Sequence, residues 1–526
     1  MWRAPLALPL ARMGEEVGIV LSGASVAFAP IALRRDRELE VREEDLVVIY
    51  DHRLEDYYML GVVRWITRYE PFLRRSIHNI YIEHPDALSI ETVMPFTNAY
   101  VEIYGAICLN GKLCSSGQGF QSNIYAPTPG SRVFRLTNAE PLTEFLTVSS
   151  PVFVGRHKYS GWRLPLDTAW INYHVGVFGA TGTGKSRLVA KLIQELISAG
   201  YKLIIFDHSG VDYVPLAKKL GIPVISASSV RIEPQILASI VTRMMGSLQS
   251  TQRDAVEVAA MCYAASAYGY NSSGQGRGAA IASECQQLTT GSVYRQKRLT
   301  QPSSQAGSNA SGFDEFLGIL GVVGQAFNLK TPTLAKLRLL ARFSLPPELF
   351  DSLKTRGYEP RDIVEKALSS GAVVLDASDE RDIEVKRGIL ASIASAVWEI
   401  ISERREPINL GLVVDEAQNY ACEHCGASSY ALETIAREGR KWRFFIIVAS
   451  QRITRDIKTS IRSNLGTVFF SKLQATGDLQ ELAGYLDLGK VTEASLAMLG
   501  RREFYVAGLM NPLRRPMLLR VDEVQI

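Results

Sequence analysis

The segment GATGTGKS, Gly179–Ser186, decides the fold of this 526-residue chain. It fits G-x-x-x-x-G-K-[ST], follows the apolar stretch HVGVF (174–178) and opens the helical stretch KSRLVAKLIQELISAG (185–200). A strand, a glycine-rich turn and a helix in this order predict a phosphate-binding loop, because glycines let backbone N–H groups curl around phosphate oxygens. Lys185 is expected to reach the β- and γ-phosphates of ATP, and the Ser186 hydroxyl to ligate Mg²⁺. The predicted nucleotide-binding residues are Gly179, Ala180, Thr181, Gly182, Thr183, Gly184, Lys185 and Ser186.

A second motif, LGLVVDEAQN (410–419), predicts a buried strand that ends in two acids. Ligands of open α/β sheets bind at the carboxyl ends of the strands. Asp415 is therefore expected to hold Mg²⁺ through water, and Glu416 to polarise the attacking water. An acidic pair at a strand end can also cap a helix, and that alternative stays open at this point.

Further polar residues follow other predicted strands. RFFIIVASQR (443–452) ends in Ser450 and Gln451, and Gln451 is a candidate γ-phosphate sensor, although it can be an ordinary strand-end residue. Asp207, at the end of KLIIFD, is equally a helper residue or a helix cap.

The stretch LETIAREGRKW (432–442) predicts a basic helix face, with Arg437, Arg440 and Lys441 at spacings i, i+3 and i+4. Such a face is either solvated or supplies an arginine finger to the nucleotide of a neighbouring subunit. Arg440 is favoured over Arg437, because Gly439 would leave room for another chain.

The order of apolar segments predicts an α/β fold preceded by a small all-β domain. Residues 1–148 contain closely spaced, β-branched strands typical of a small barrel or sandwich, and a barrel is predicted. Residues 149–526 alternate strands and helices, which indicates a mostly parallel sheet, with EFYVAGL (503–509) at its edge. A helical insertion is predicted at about 231–370. Within it, the basic and Ser/Gly/Gln-rich residues 271–312 are expected to form a mobile loop, either a solvated linker or a DNA contact.

Composition excludes several classes of protein. Apolar residues make up 47% of the chain, too many for a mainly disordered protein. A net charge of +4 does not by itself identify a nucleic-acid partner. No apolar run reaches the length of a membrane helix, and the N-terminus lacks the features of a signal peptide. Six cysteines are too few for a disulfide framework; Cys422 and Cys425 are expected to be free thiols rather than a disulfide or a metal site. These features predict a cytoplasmic protein without a membrane partner.

Together, these motifs resemble the HerA family of hexameric DNA translocases. The resemblance is carried by GIVLSG (18–23), GATGTGKS, FDHSGVDY (206–213), LVVDEAQN, IAREGRK (435–441) and ASQR (449–452). It covers most of the chain and implies a HAS-type barrel followed by an FtsK-like, RecA-type P-loop ATPase core. It also implies a homohexamer around double-stranded DNA and a NurA-type nuclease partner in DNA-end resection during double-strand-break repair. The site residues it implies are Lys185 and Ser186 as nucleotide and Mg²⁺ ligands, Glu416 as catalytic acid, Gln451 as sensor, and Arg440 or Arg437 as finger.

Two other functions fit part of the same pattern. A DNA-pumping ATPase of conjugation or viral packaging shares the core but normally has a different N-terminal module, so a barrel in residues 14–148 would separate the two. A nucleotide-gated scaffold that recruits a nuclease and barely turns over ATP is disfavoured by Glu416 and the candidate finger. The stretch DHSGVDY also departs from the DPHGEY-like stretch of the family, which leaves the role of Asp207 open.

Overall fold

The computed structural model describes residues 14–69, 96–109, 113–114, 118–272, 277–290, 311–474 and 477–524. The chain divides into two compact units. The first contains Met1–Glu195 and Leu465–Val524, and the second contains Leu196–Asn464. The ends of the chain therefore build one unit and its middle builds the other.

The first unit contains a closed β-barrel, which confirms the predicted all-β domain. Its strands are β1 (Gly14–Val20), β2 (Phe28–Leu33), β3 (Leu46–Tyr50), β4 (Tyr57–Tyr69), β5 (Phe96–Cys108), β6 (Gly119–Gln121) and β7 (Arg132–Leu136). They pair in the order β2-β1-β7-β3-β4-β5, the pairing of β2 with β5 closes the ring, and β6 adds to β5. Alternation along the strands directs one set of apolar side chains into the interior, among them Val17, Ile31, Val47, Met59 and Val101.

The same unit contains the strand that leads to the phosphate loop. The short strands β8 (Pro151–Val152), β9 (Gly155–His157) and β10 (Leu166–Asp167) come first, followed by β11 (Val175–Phe178) and helix α1 (Lys185–Ser198). β11 is parallel to β17 (Thr467–Phe470), and the antiparallel strands β18 (Glu503–Gly508), β19 (Met517–Val521) and β9 follow in that order. The prediction that EFYVAGL closes the sheet edge is wrong, because β18 lies between β17 and β19.

A buried cluster of charges joins the barrel to β18. The Arg64 guanidinium bonds to Glu44 and, at 3.0 Å, to Glu102, and its Nη2 donates to the Tyr104 hydroxyl at 2.9 Å. Tyr505 on β18 donates to Glu44 at 2.8 Å. Burial raises the pKa of Glu44, while the Arg64 charge opposes that shift. Removing Arg64 would leave the Glu44 carboxylate buried without the cation that compensates it.

The second unit contains a parallel sheet in the order β13-β14-β12-β15-β16. Its strands are β12 (Lys202–Asp207), β13 (Val224–Ser226), β14 (Ala372–Asp376), β15 (Leu410–Val414) and β16 (Phe444–Ser450). All residues of β15 and β16 are buried, as expected for strands covered on both faces. The helices outside the insertion are α2 (Val214–Leu220), α10 (Ile383–Arg404), α11 (Ala427–Glu438) and α12 (Thr459–Arg462); α13 (Asp478–Ala483) and α14 (Glu493–Ala497) follow in the first unit.

Seven helices lie between β13 and β14 in the described part of the chain. They are α3 (Pro234–Met244), α4 (Ser250–Ala267), α5 (Arg277–Thr290), α6 (Gly312–Ala326), α7 (Thr331–Ser344), α8 (Pro347–Leu353) and α9 (Pro360–Ser370). The prediction of a loop at 271–312 is wrong where α5 forms, because its alanines and glutamines favour a helix. Arg277, expected to make that loop basic, lies 3.0 Å from Glu233 and 3.2 Å from Glu399. Residues 291–310 of the same prediction lie outside the described residues.

The cysteines are paired, contrary to the prediction of free thiols. Disulfides join Cys108 to Cys114, Cys262 to Cys285, and Cys422 to Cys425. The sequence could not show this because pairing depends on which thiols the fold brings together. Among the described helices, none is long and apolar enough to cross a membrane.

Candidate nucleotide-binding and catalytic site

The phosphate loop lies in the first unit, between β11 and α1. Gly182 and Gly184 have φ angles of +82° and +101°, a left-handed conformation that side chains disfavour. Ser186 is half-buried in the first turn of α1. A helix of 14 residues whose first turn follows such a loop directs its first N–H groups and the positive end of its dipole toward an anion. The loop residues therefore fit the phosphates of a nucleotide.

Lys185 is folded back onto this loop. Its ammonium donates to the carbonyl oxygen of Gly179 at 2.7 Å and to that of Ala180 at 3.4 Å, and the residue is buried. Thr183 donates its hydroxyl to the same Ala180 carbonyl at 2.8 Å. These bonds hold the loop as a closed turn around the lysine.

Two later segments of the chain support the loop from outside. The Ala180 N–H donates to the carbonyl oxygen of Lys472 at 2.7 Å, and the Arg502 N–H donates to that of Thr183 at 2.8 Å. A Cβ atom at Gly184 would lie 3.2 Å from the Arg502 side chain. The motif contains no sign of these two supports, because both come from segments beside the C-terminal strands β17 and β18.

The acidic pair lies in the second unit, directly after β15. Asp415 is 4% exposed, and its burial, together with the charges of Glu416, Asp212 and Asp207, raises its pKa to about 7, against an opposing hydrogen bond from the backbone of Glu416. Glu416 is half-buried, with φ of 47° and ψ of 46°, a backbone conformation uncommon outside glycine. The turn Ala417–Asn419 that follows is one short 3₁₀ turn, so the pair does not cap an α-helix.

Hydrogen bonds join Glu416 to the end of β16. The Gln418 amide nitrogen donates to the Glu416 carboxylate. The Ser450 hydroxyl lies 3.0 Å from the Gln418 amide oxygen and 3.2 Å from a carboxylate oxygen of Asp456. Sequence reasoning missed Gln418 and Asp456; the polar Gln418 two positions after Glu416 in LVVDEAQN was the available signal. Gln451, the predicted sensor, follows Ser450 and is half-buried.

The basic residues proposed as fingers do not share one helix face. Helix α11 ends at Glu438, and Arg440 lies in the 3₁₀ turn Gly439–Trp442. Both arginines are exposed, and Arg437 lies 3.8 Å from Glu433. The argument that Gly439 leaves room for another chain is wrong, because Gly439 is buried and a Cβ there would meet the Phe444 carbonyl oxygen of its own chain.

Asp207 acts as a cap. One carboxylate oxygen accepts from the N–H groups of Ser209 at 3.2 Å and Gly210 at 2.9 Å, and the other from those of Tyr213 at 2.9 Å and Val214 at 3.2 Å. These bonds fix the loop from β12 to α2 and favour the cap interpretation over the helper residue.

A further polar group beside this loop was not predicted. His208 Nδ1 lies 2.6 Å from the Tyr420 hydroxyl, and the Lys386 ammonium donates to the His208 carbonyl oxygen at 3.2 Å. Burial and the charge of Lys386 lower the pKa of His208, and burial lowers that of Lys386. The three residues come from distant parts of the sequence, which shows no link between them. Within the described ranges, no group of three or more His, Cys, Asp or Glu side chains forms a preassembled metal site.

The fold and these motifs define a RecA-like P-loop nucleotide-binding protein with an N-terminal β-barrel. Residues 152–295 match the family model described as the central domain of the helicase HerA. The chain is 24% identical over 208 residues to the DNA double-strand break repair helicase HerA of Sulfolobus acidocaldarius, covering 39% of this chain and 38% of that protein. It is 24% identical over 220 residues to the protein of the same name in Saccharolobus solfataricus, covering 42% and 39%.

The predicted resemblance to the HerA family is thereby confirmed, and the chain matches about two fifths of the length of these curated relatives. Among solved structures, VirB4 of Thermoanaerobacter pseudethanolicus is similar to 72% of this chain and 98% of its own, with a TM-score of 0.48 and 15% identity.

Proposed function

We propose that this protein is an ATP-driven translocase or helicase that acts on double-stranded DNA. The observation that carries the proposal is a complete phosphate loop at the start of α1 in a chain that matches the HerA central domain. The names of the two HerA relatives point to a role in double-strand-break repair.

In this proposal, the phosphate loop binds the nucleotide, and Asp415 and Glu416 are the acidic residues of the hydrolysis reaction. Lys185 would exchange its bonds to loop carbonyl oxygens for the β- and γ-phosphates. Ser186 and Asp415 are the candidate ligands of Mg²⁺, which would neutralise phosphate charge. Glu416 accepts a proton from the attacking water. Gln451 senses the γ-phosphate.

The proposal includes a homohexamer in which Arg440 or Arg437 completes the site of the neighbouring subunit. Exposure of both side chains fits a role in trans. The test mixes Arg440→Ala subunits with Glu416→Gln subunits, each of which is expected to turn over ATP slowly alone. Mixed rings contain some interfaces with both native residues, and their partial recovery of turnover supports a finger at Arg440. If Arg440→Ala alone keeps normal DNA-stimulated turnover, the same experiment is repeated with Arg437→Ala.

The proposed partner of the ring is a NurA-type nuclease acting in DNA-end resection in the cytoplasm. The closed barrel supports this function over a DNA pump of conjugation or packaging, which normally has a different N-terminal module. Co-purification of the nuclease with the full chain, and its loss when the barrel surface is altered, would test the partnership.

The central experiment measures ATP hydrolysis by the purified chain with and without linear duplex DNA. We expect stimulation by DNA that falls steeply with added salt, because phosphate contacts release counterions. Glu416→Gln should bind ATP and hydrolyse it slowly. Hydrolysis at the wild-type rate in that variant would refute the role of Glu416, and a wild-type chain that binds ATP without turnover would favour the scaffold instead.

A further inference from the structure

The Glu416 carboxylate is oriented by a neighbour that no motif assigns. Glu416 projects from a left-handed backbone position after β15, and Gln418, two residues later, donates its amide N–H to it. A carboxylate accepts hydrogen bonds and cannot donate one when ionised. The Gln418 amide must therefore turn its nitrogen toward Glu416.

The other end of the same amide depends on Ser450. The Gln418 amide oxygen lies 3.0 Å from the Ser450 hydroxyl, which is fully buried at the end of β16. An amide whose oxygen accepts from Ser450 presents its nitrogen to Glu416 and cannot flip without losing both bonds. Ser450 thus fixes the direction in which Gln418 acts.

Asp456 competes for the same hydroxyl proton. Its carboxylate lies 3.2 Å from the Ser450 oxygen, and a hydroxyl has one proton to donate. When Ser450 donates to Asp456, the Gln418 oxygen loses its partner. The position of the segment from Gln451 to Asp456 therefore decides whether the Ser450 hydroxyl donates to the Gln418 amide oxygen and fixes its orientation.

We propose that Gln418 is a positioning residue that aligns Glu416 for attack by water, and that Ser450 and Asp456 couple this alignment to the segment after β16. This inference rests on the proposed ATPase function and adds a mode of control to it. A shift of the segment that contains the candidate sensor Gln451 would alter the orientation of Glu416 through two hydrogen bonds, Ser450–Gln418 and Gln418–Glu416.

The test compares ATP turnover and nucleotide affinity in Gln418→Met, Ser450→Ala and the double variant. Gln418→Met keeps the length of the side chain and loses both hydrogen bonds. We expect kcat to fall on the order of 10- to 100-fold, the scale of a misplaced reacting group, with KM and ATP affinity unchanged. Ser450→Ala should lower kcat less, and the double variant should match Gln418→Met, because the two residues act through one path.

The matched control is Asn419→Ala, one residue further in the same turn. This variant leaves the hydrogen bonds among Ser450, Gln418 and Glu416 intact and should keep wild-type kcat. Gln418→Asn retains an amide donor and should recover part of the lost rate, which a merely structural role would not predict. Additive effects of Gln418→Met and Ser450→Ala, or wild-type kcat in Gln418→Met, would overturn the proposal while Glu416→Gln still tests the ATPase function. If Gln418→Met lowers the melting temperature, it is replaced by Gln418→Leu, which has a side chain of similar size without a donor or an acceptor. Wild-type kcat in Gln418→Leu overturns the proposal, and a loss of kcat with unchanged ATP affinity supports it. A wild-type chain without ATPase activity would remove both proposals.

Discussion

Lowering the pH from 7 to 5 is expected to destabilise the first unit through His157. This histidine ends β9 and is fully buried. Its Nδ1 accepts the N–H of Ser160 at 3.2 Å, so its proton sits on Nε2, which donates to the carbonyl oxygen of Glu44 at 3.0 Å. A second proton, on Nδ1, would break the bond from the Ser160 N–H and make the Ser160 hydroxyl, 2.9 Å away, an acceptor. Burial therefore lowers the pKa of His157 to about 4, and the bond to the Glu44 backbone opposes the shift only in part.

The size of the effect follows from that pKa and from the ordinary value of 6.5. Below pH 6.5 the unfolded chain takes up a proton at His157 while the folded chain does not, so stability falls as pH drops toward 4. Linkage gives a loss of about 2 kcal/mol between pH 7 and pH 5, and about 3 kcal/mol once pH is well below 4. A loss of about 2 kcal/mol corresponds to a fall in melting temperature of roughly 4–8 °C for a unit of this size.

Calorimetry of the wild type and of His157→Gln at pH 7, 6 and 5 would measure this loss of stability. The variant has no group that titrates at this position. As pH falls, the melting temperature of the wild type should therefore drop by several degrees more than that of the variant. Taking this difference cancels contributions from other titrating groups such as Glu44. Parallel pH profiles for the two proteins would refute the reasoning.

Three further outcomes are expected. Lys185→Ala should weaken ATP binding at least tenfold in a filter or fluorescence assay, because it removes the cation at the phosphates; unchanged affinity would contradict the fit of the loop. Asp207→Asn should lower the melting temperature by an amount equivalent to about 1–3 kcal/mol, since an amide nitrogen would face backbone N–H donors, and an unchanged melting temperature would argue against the cap. Reducing the Cys422–Cys425 disulfide should lower DNA-stimulated turnover several-fold, because Cys425 packs against the carbonyl oxygen of Asn419 in the turn after Glu416; a Cys422→Ser, Cys425→Ser chain that ignores reductant serves as the control.

The strands and the two main motifs could be predicted because their signals are local. GATGTGKS and LVVDEAQN combine apolar strands with residues of special conformation or charge in a short interval, and barrel strands alternate in the same way. The possible roles of Asp207 could be reduced to two, a helper residue or a helix cap, for the same reason. The local sequence pattern was enough to predict the role of a residue wherever its interaction partner lies within a few positions in the sequence.

Prediction failed where the partners are distant or where composition is ambiguous. The Ser450–Gln418 bond spans 32 positions, and the supports from Lys472 and Arg502 come from segments about 300 residues after the loop. Helix α5 was missed because serine and glycine counts conceal alanines and glutamines that favour a helix. The spacing of Arg437 and Arg440 suggested one face, but the α-helix ends at Glu438, between them.

The support of the phosphate loop by Lys472 and Arg502 has a consequence for the newly made chain. A polypeptide leaves the ribosome from its N-terminus, and Gly179–Ser186 emerges long before the two segments that hold it. β11 likewise lacks β17 until Thr467–Phe470 has been synthesised. Residues 196–464 can assemble their own sheet in the meantime. A nascent chain therefore lacks both supports of the phosphate loop until Lys472 and Arg502 have been synthesised.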